Sequence, residues 1–456
     1  MNIYQYIEHI GYKKIKILGL TVYRQGWKDI GREVFVEKKY LKGLVRTLEN
    51  KNSASTYFMG IRISHTLKYN DEEFVKRNTN EHNRIYAQID RKQDVMKLHG
   101  ESFSKYKGIN KGKEVVIIGT GPSLANYQPI KGAINIGCNR AFQYDKIHLD
   151  YLFAADWYGV RPYIEEAKAY DCTKFYGTFL DTKNIEFLLM PEYILEQADH
   201  RYYCMLKPSE AYKDIDCYPL MNSGSIALSA LNFALYTHPK KIYLVGLDTT
   251  VFGNFDKKKQ SGAPMNVELV KKGYNQIKKM AYVNYPDVEI VAVNPVGLRG
   301  IFSDYYQDMQ PLNLPMHHNF SDFTNTNISI SGLSVLEKDD MRWSEKEEAK
   351  FEFVLKDKNN LIAEFNFVTS QRLLEQIGQF DVEVFANDFS VHKFTCTAEE
   401  EITNCTFKIR KRILRTGQNC IKFKFSQQYS PKMFKLNSDY RYLGLKFKDM
   451  TLKEVQ

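Results

Sequence analysis

Residues 115–124 read Val-Val-Ile-Ile-Gly-Thr-Gly-Pro-Ser-Leu, an apolar run that ends in two glycines, a proline and a serine. Four β-branched residues in a row are typical of a strand that is buried on both faces. The glycines permit a tight turn, Pro122 presets φ, and Ser123 can cap a helix that follows. We therefore predict a strand, a turn and a helix start. Backbone amides at such a turn can converge on an anion such as phosphate.

Short apolar runs alternate with helical stretches over residues 111–318, which is the pattern of parallel strands joined by helices. The predicted strands are Val115–Ile118, Ala133–Ile136, Tyr151–Ala154, Ile242–Val245 and Val288–Val293. We therefore predict the α/β fold class, with a Rossmann-like, mostly parallel sheet as the core.

The C-terminal part of the chain has a different pattern. Its apolar residues recur at every second position, as in Phe351–Leu355 and Ile421–Phe425, which is typical of half-buried antiparallel strands. We predict an all-β jelly-roll or sandwich accessory domain at 319–456. It follows a nucleotide-sugar-binding catalytic domain at 111–318 and a basic N-terminal region at 1–110.

Positive charge is concentrated near the start of the chain. The 456 residues carry a net charge of +10, and 21 basic against 12 acidic residues fall in residues 1–110. Such an excess favours an anionic surface as a partner, and we predict a membrane surface rather than nucleic acid. The first residues do not read as a secretory signal, and no apolar run reaches the roughly 18 residues of a membrane span.

The seven cysteines contain no C-x-x-C pair, which argues against structural zinc and against a disulfide framework. We therefore predict a cytoplasmic protein that associates peripherally with the inner face of the cell membrane. Self-association into a homo-oligomer is left open by the sequence.

Further polar residues follow predicted strands. Asn139 follows the second predicted strand, Asn222-Ser223-Gly224 precedes an apolar helix at 226–236, and Asp248 ends the strand that begins at Ile242. Because parallel strands end at the same edge of a sheet, we expect these residues to lie near the glycine turn. Each also has a purely structural interpretation, as a turn or a helix cap.

These motifs resemble a known family in their order and approximate spacing. Gly119–Leu124, Cys138-Asn139, Ser223-Gly224 and Lys241–Asp248 are similar to motifs of the bacterial lipooligosaccharide sialyltransferases of glycosyltransferase family 42. They also resemble the related motility-associated-factor glycosyltransferases and 6-hydroxymethylpterin diphosphokinase-like proteins. The resemblance covers roughly residues 115–300.

The resemblance implies a GT-A-like variant of the sheet and a donor that is a nucleotide sugar, CMP-linked above all. We predict no tightly bound cofactor and no required metal, because a CMP-linked sugar carries one phosphate, which amides at a helix terminus can stabilise as it leaves. The residues that the resemblance places around the nucleotide are Gly119, Gly121, Ser123, Asn139, Ser223, Gly224 and Asp248. Thr120 and Asn222, which stand where the family has other residues, are candidates from the same two loops.

The catalytic base is a separate question, because the family's histidine has no counterpart between Asp248 and Asn294. A transfer with inversion needs a base that takes the proton of the acceptor hydroxyl. Asp156, after the strand Tyr151–Ala154, is the first candidate. His317 and His318 are the alternatives.

Two other sets of residues have possible roles in binding. Tyr158 and Arg161 could hold an acidic sugar or the leaving phosphate, or simply begin a solvated helix. Asp214 and Asp216 have the D-x-D spacing of metal-dependent sugar transferases, but no apolar strand precedes them. We therefore do not predict a metal site.

Together these features predict a glycosyltransferase that extends a bacterial cell-surface glycan such as lipooligosaccharide or capsule. The acceptor would be a glycan or glycolipid. Two alternatives remain open: a pterin diphosphokinase-like enzyme that uses ATP and magnesium, and a non-catalytic glycan-binding or assembly protein.

Overall fold

The structure of the protein is a computed structural model. It describes residues 4–9, 12–18, 20–30, 33–50, 53–67, 91–180, 189–206, 210–249, 255, 266–321, 327–398, 402–427, 429–439 and 441–455. The chain divides into two compact units, Met1–Arg91 and Lys92–Gln456.

The first unit is one antiparallel sheet in which, over its described residues, seven strands follow one another in sequence order. Its strands are β1 Tyr4–His9, β2 Tyr12–Ile17, β3 Leu20–Ile30, β4 Glu33–Tyr40, β5 Val45–Glu49, β6 Ser53–Phe58 and β7 Ile61–Leu67. Of its side chains whose burial is described, those of Leu48 and Ser55 alone are buried. The sheet therefore has almost no core of its own.

The second unit begins with a parallel sheet of nine strands among the described residues, in the order β13-β12-β11-β10-β9-β8-β14-β15-β16. Its strands are β8 Glu114–Ile118, β9 Ile134–Cys138, β10 Tyr151–Ala154, β11 Thr173–Phe179, β12 His200–Met205, β13 Leu220–Met221, β14 Lys241–Val245, β15 Glu289–Val293 and β16 Ser303–Tyr305. The helices of this part are α1 (91–103), α2 Trp157–Val160, α3 Ile164–Ala169, α4 Glu192–Leu195, α5 Ile226–Tyr236 and α6 Val267–Asn284.

Both faces of the parallel sheet are buried, because successive side chains of a strand point to opposite faces. In β8, Val115 and Ile117 join a core that contains every residue of α5 except its two polar ones, Ser229 and Asn232. Val116 and Ile118 join a second core on the other face. All residues of α5 are buried, which explains its apolar composition on every side.

The prediction of the α/β fold class, with a Rossmann-like core of GT-A-like type, is wrong for this chain. Strand accounts for 41% and helix for 22% of the residues that the structure describes, and three of the four described sheets are antiparallel. After β8 and β9 the chain makes short 3-10 helices, Pro122–Asn126 and Asn139–Gln143, where repeated strand–helix units would have α-helices. The chain is predominantly β because antiparallel sheets both precede and follow the parallel strands in the sequence.

The C-terminal part consists of two antiparallel sheets, each with five strands among the described residues, in the orders β17-β26-β21-β24, with β19 beside β26, and β18-β20-β25-β22-β23. The strands are β17 Met316–Asn319, β18 Ile328–Ser331, β19 Arg342–Trp343, β20 Glu348–Leu355, β21 Asn360–Val368, β22 Gln379–Ala386, β23 Phe389–Thr397, β24 Asn404–Ile409, β25 Gly417–Phe425 and β26 Lys446–Val455. A helix, α7 Gln371–Ile377, lies between β21 and β22.

The inner faces of the two sheets share one apolar core, in which the rings of Phe365 and Phe423 lie 4.8 Å apart. We call this part the sandwich. It is joined to the parallel sheet by buried arginines. Arg299 donates to the carbonyl of Ile328 at 2.7 Å, and Arg342 donates to the carbonyl of Gly300 at 2.8 Å. No helix among the described residues is long and apolar enough to cross a membrane.

Candidate functional site

The order of strands in the parallel sheet reverses between β8 and β14. From β8 the chain builds the strands on one side, and from β14 it builds those on the other. In open parallel sheets, ligands bind outside the carboxyl ends of the strands at such a reversal. Residues 119–123 follow β8 and residues 246–248 follow β14, so both segments lie at this point.

Ser123 and Asp248 join these two segments directly. The Ser123 amide donates to one carboxylate oxygen of Asp248 and the Ser123 hydroxyl to the other, both at 2.6 Å. Burial raises the pKa of Asp248, and the two Ser123 donors act in the opposite direction because they stabilise the charged form. Each carboxylate oxygen thus already accepts a hydrogen bond from within the protein.

The glycines of this turn are required by close packing. The amides of Gly119 and Gly121 donate to the carbonyls of Val245 and Gly246, both at 2.8 Å. A Cβ at Gly119 would lie 2.4 Å from the Gly246 oxygen, and one at Gly121 would lie 2.6 Å from an Asp248 oxygen. These amides are therefore occupied by the β14 segment, whereas a phosphate-binding turn would leave them open.

Thr120 is the exception within the turn. Its carbonyl accepts a hydrogen bond from the Phe255 amide at 3.0 Å, while its own amide has no acceptor among the described residues. The turn thus offers an anion a single amide in the described part of the chain.

Two buried polar atoms near this edge have no partner within the described residues. They are Asn139 Oδ1, at the end of β9, and Thr249 Oγ1, beside Asp248. Asn139 also has a φ of 53°, in the left-handed region. Buried polar groups are nearly always hydrogen-bonded, so these two atoms, which follow the strands on either side of β8, have hydrogen-bonding capacity that a polar ligand could use.

Charged residues follow the strands β9 and β10. Arg140 follows β9, where its guanidinium lies 5.7 Å from the Phe255 ring centroid, and Asp156 follows β10. Both act on the buried Tyr163 hydroxyl. Burial raises the pKa of Tyr163, Asp156 raises it further, and Arg140 lowers it. The Tyr163 hydroxyl therefore lies within electrostatic range of both a carboxylate and a guanidinium. Arg161 is exposed in the 3-10 helix that contains Tyr163, and the side chain of Tyr158 lies outside the described residues.

In the structure, the predicted segment Asn222–Gly224 forms a local turn. Asn222 Oδ1 accepts the Gly224 amide at 3.0 Å, which closes a local turn after the edge strand β13. Ser223 is buried and packs on α6, because a Cβ at Gly273 would lie 3.1 Å from the Ser223 hydroxyl. The Ser223 side chain thus faces a helix.

The two candidate histidines lie on β17 of the sandwich and not on the parallel sheet. His317 is exposed and contacts the Thr451 hydroxyl at 3.0 Å, while His318 is buried beside Phe320. Of the three predicted bases, Asp156 alone follows a strand of the parallel sheet.

The D-x-D segment precedes β13, at the amino end of the strand. The central Ile215 is buried, and its carbonyl contacts His99 Nδ1 at 2.7 Å. Asp214 forms an ion pair with Lys107 at 3.8 Å. Among the described residues, no group of three or more acidic, histidine or cysteine side chains could hold a metal ion.

Sequence reasoning missed a cleft between α6 and the sandwich. It has a volume of about 520 Å³ and adjoins a second cleft of about 340 Å³. Lys278, Tyr282 and Glu345 line both clefts, and the Lys278 ammonium pairs with Glu345 at 2.5 Å. No local motif could have revealed the cleft, because its walls come from segments more than 60 residues apart.

Comparisons with known proteins assign no family to this chain. No family model and no curated protein matches the chain. Among solved structures, it is similar to a ruminal GH26 endo-β-1,4-mannanase, with 10% identity, a TM-score of 0.19, and 32% of this chain and 27% of that chain covered.

Two sugar-binding modules show similarly slight likeness. The CBM51-2 and INT domains of Clostridium perfringens ZmpB, in complex with GlcNAc, share 4% identity at a TM-score of 0.19, with 34% of this chain and 33% of that chain covered. TmCBM61 in complex with β-1,4-galactotriose shares 11% identity at a TM-score of 0.15, with 32% and 91% covered. The chain spans about a third or less of the first two proteins. At these TM-scores the likeness carries no argument.

Proposed function

We propose that this protein acts on glycans, as a transferase that binds a nucleotide-activated sugar at the carboxyl edge of its parallel sheet. The observation that carries the proposal is the pair of unpartnered buried atoms, Asn139 Oδ1 and Thr249 Oγ1, on either side of β8. The donor we favour is a CMP-linked acidic sugar, and the acceptor a cell-surface glycan.

The polar groups at this edge suit such a donor. The Asn139 carboxamide and the Thr249 hydroxyl have hydrogen-bonding capacity for a ribose or base edge. The Arg140 guanidinium would attract a phosphate or a sugar carboxylate, since planar guanidinium groups match both. A single amide, that of Thr120, would add one contact to phosphate.

Asp156 is the residue that we propose as the base. The acceptor oxygen would form the new bond to the sugar carbon as the bond between that carbon and the phosphate oxygen breaks, and the Asp156 carboxylate would take the proton of the acceptor hydroxyl. The electron pair of that bond leaves with the phosphate, next to Arg140. Each proton and charge is thus accounted for by the chain and its substrates.

The test uses the variant Thr249→Val, which keeps the shape of the side chain and removes its hydroxyl. If the hydroxyl serves a ligand, the free protein should be as stable as wild type or more so, because an unsatisfied buried group is removed. Binding of the nucleotide should weaken about tenfold in calorimetric titration, in line with the loss of one hydrogen bond. Thr395→Val, on β23 of the sandwich, is the control for nucleotide binding, which it should leave unchanged; it removes a hydroxyl that donates to Asp381 at 2.6 Å.

The ligand panel for this test is CMP, CDP, UDP, GDP and ATP, each with and without magnesium. Binding of CMP without magnesium supports the proposal. Binding of ATP only with magnesium would instead favour the pterin diphosphokinase-like alternative. If no nucleotide raises the melting temperature of the wild-type protein, the proposed donor site is wrong.

A second candidate function is glycan binding without catalysis, and the cleft beside α6 favours it. Two tyrosine rings, those of Tyr282 and Tyr442, lie 6.5 Å apart at this cleft and have exposed or half-exposed surface. Tyr442→Ala should abolish glycan binding if the cleft is the site, whereas Thr249→Val should leave it unchanged. The opposite result would assign glycan binding to the sheet edge.

A further inference from the structure

Three hairpin turns of the N-terminal sheet share one unusual composition. They are residues 18–20 between β2 and β3, residues 41–44 between β4 and β5, and residues 58–61 around the β6–β7 turn. Each has a glycine flanked by large apolar residues or by an apolar residue and a lysine. Alternate turns of an antiparallel meander lie at the same end of the sheet, so all three lie at one end. We call them the tip loops.

The apolar side chains of the tip loops are exposed. Leu18 is 59% exposed, Leu41 61% and Met59 68%, and the flanking Leu20 and Ile61 are similarly open. Turns of this kind normally carry Gly, Asn, Asp or Ser. Isolated exposed apolar residues are ordinary, but a series of them at one end of a sheet indicates contact with an apolar phase.

The backbone of the tip loops makes these residues more unusual still. Leu18, Leu41 and Met59 have φ values of 50°, 48° and 48°, in the left-handed region. Glycine and asparagine adopt this conformation at less cost than leucine or methionine does. If only the stability of the free protein mattered, other residues would therefore be expected at all three positions. Contact of these apolar side chains with a binding partner explains why they are present.

Positive charge surrounds the tip loops. No Asp or Glu occurs within residues 16–21, 39–46 or 56–62. The basic residues in these three segments are Lys16, Lys39, Lys42, Arg46 and Arg62. Lys39 and Arg46 form ion pairs with Glu37, at 3.1 and 3.7 Å, so the positive charge that remains is mainly that of the other three. Apolar tips with a basic collar match the two layers of an anionic bilayer surface, acyl chains below and charged headgroups above.

We propose that the tip loops insert into the interface of an anionic lipid bilayer, with the surrounding lysines and arginines on its headgroups. Turns two strands apart are separated by about 10 Å, so the three tips form a row one side chain deep. Such a row of protruding apolar side chains can dip into a membrane interface. The inference is independent of the function proposed above.

Insertion of apolar side chains predicts a different salt dependence of membrane binding from that of electrostatic attraction alone. Electrostatic attraction falls with salt, while burial of apolar side chains does not. The full-length protein should therefore float with vesicles that contain phosphatidylglycerol and keep part of that binding at about 1 M salt, where the Debye length is about 3 Å. Vesicles of phosphatidylcholine alone should bind it more weakly.

The decisive variant is Leu18→Asn, Leu41→Asn and Met59→Asn together. Asparagine tolerates the left-handed backbone, so the variant should fold at least as well as wild type. Its partition onto anionic vesicles should fall by tenfold or more, and its binding at high salt should vanish, since about three buried side chains are lost. Met433→Asn, which removes a similarly exposed methionine from the sandwich, should bind as wild type does.

Two results would overturn the proposal. One is a triple variant that binds vesicles as wild type does at both salt concentrations. The other is a wild-type protein that sediments as a dimer without lipid while the triple variant sediments as a monomer, because the tips would then bind a second copy of the chain.

Discussion

The amide and the hydroxyl of Ser123 both donate to the carboxylate of Asp248, at 2.6 Å each. The pair joins the turn after β8 to the turn after β14, at the reversal of strand order. Asp248 was predicted to contact a nucleotide, yet its two oxygens hold the glycine turn in shape. The structure therefore gives Asp248 a positioning role, and the unpartnered atoms of Asn139 and Thr249 are the better candidates for contact with a ligand.

Ser123→Ala should destabilise the protein by about 1–3 kcal/mol, because one oxygen of the buried Asp248 carboxylate would lose its donor. Urea unfolding measures this difference from the midpoint at constant slope. Ser438→Ala, at an exposed position, should stay within about 0.5 kcal/mol of wild type. Equal midpoints for the two variants would show that the Ser123 hydroxyl contributes nothing to stability.

Gly121→Ala and Gly100→Ala should have effects of opposite sign. A Cβ at Gly121 overlaps Asp248, and relieving the overlap should cost about 1–3 kcal/mol. Gly100 lies in α1, where the nearest atom to an added Cβ is 4.0 Å away, so alanine should stabilise the helix by up to about 1 kcal/mol. Thermal unfolding of the two variants in parallel tests both signs. A stable Gly121→Ala variant would show that the turn can move aside.

His99 should make stability depend on pH between about 6.5 and 4. Burial lowers the pKa of His99 to about 4, and its ring bridges the Ile215 carbonyl and the Tyr203 amide at 2.7 Å each. The unfolded chain binds a proton near pH 6.5 and the folded chain does not, so stability is complete above that pH and falls as the pH drops toward 4. The loss should approach roughly 3 kcal/mol.

A histidine variant isolates this contribution. His99→Gln should be less stable than wild type at pH 7 but should lose less stability between pH 7 and pH 4. His317→Gln, at the exposed position on β17, should keep the wild-type profile. Parallel profiles for His99→Gln and wild type would mean that His99 titrates normally in the folded protein.

Arg342 should be essential to the contact between the parallel sheet and the sandwich. It is buried and donates to the carbonyls of Phe320 and Gly300, at 2.7 and 2.8 Å. Arg342→Met should cost about 3 kcal/mol or more, because these two carbonyls and that of Ser334, at 3.1 Å, lose their donor. Limited proteolysis should then cleave faster between the two parts. Arg372→Met, an exposed position on α7, is the control, and equal cleavage rates would contradict the role.

The sequence by itself determined the local strands, because the spacing of apolar residues shows which faces of each strand are buried. The run Val115–Ile118 lies within β8, and the alternating Phe351–Leu355 lies within β20. β-Branched runs and period-two alternation indicate strands because they report which faces are buried, and this information is local. The same logic missed β12, whose residues His200–Met205 include several polar and aromatic side chains.

Only the tertiary structure decided how the elements combine. The N-terminal region is a sheet of seven strands among the described residues. The sequence does not predict this sheet, because its strands bury almost nothing and leave no apolar pattern. Ser123 and Asp248 are 125 residues apart, and His99 and Ile215 are 116 apart. No periodicity encodes such pairs, because they form only when separate strands and loops pack together. The predicted α/β class failed for the same reason: local patterns report each strand, while sheet order and direction depend on long-range pairing.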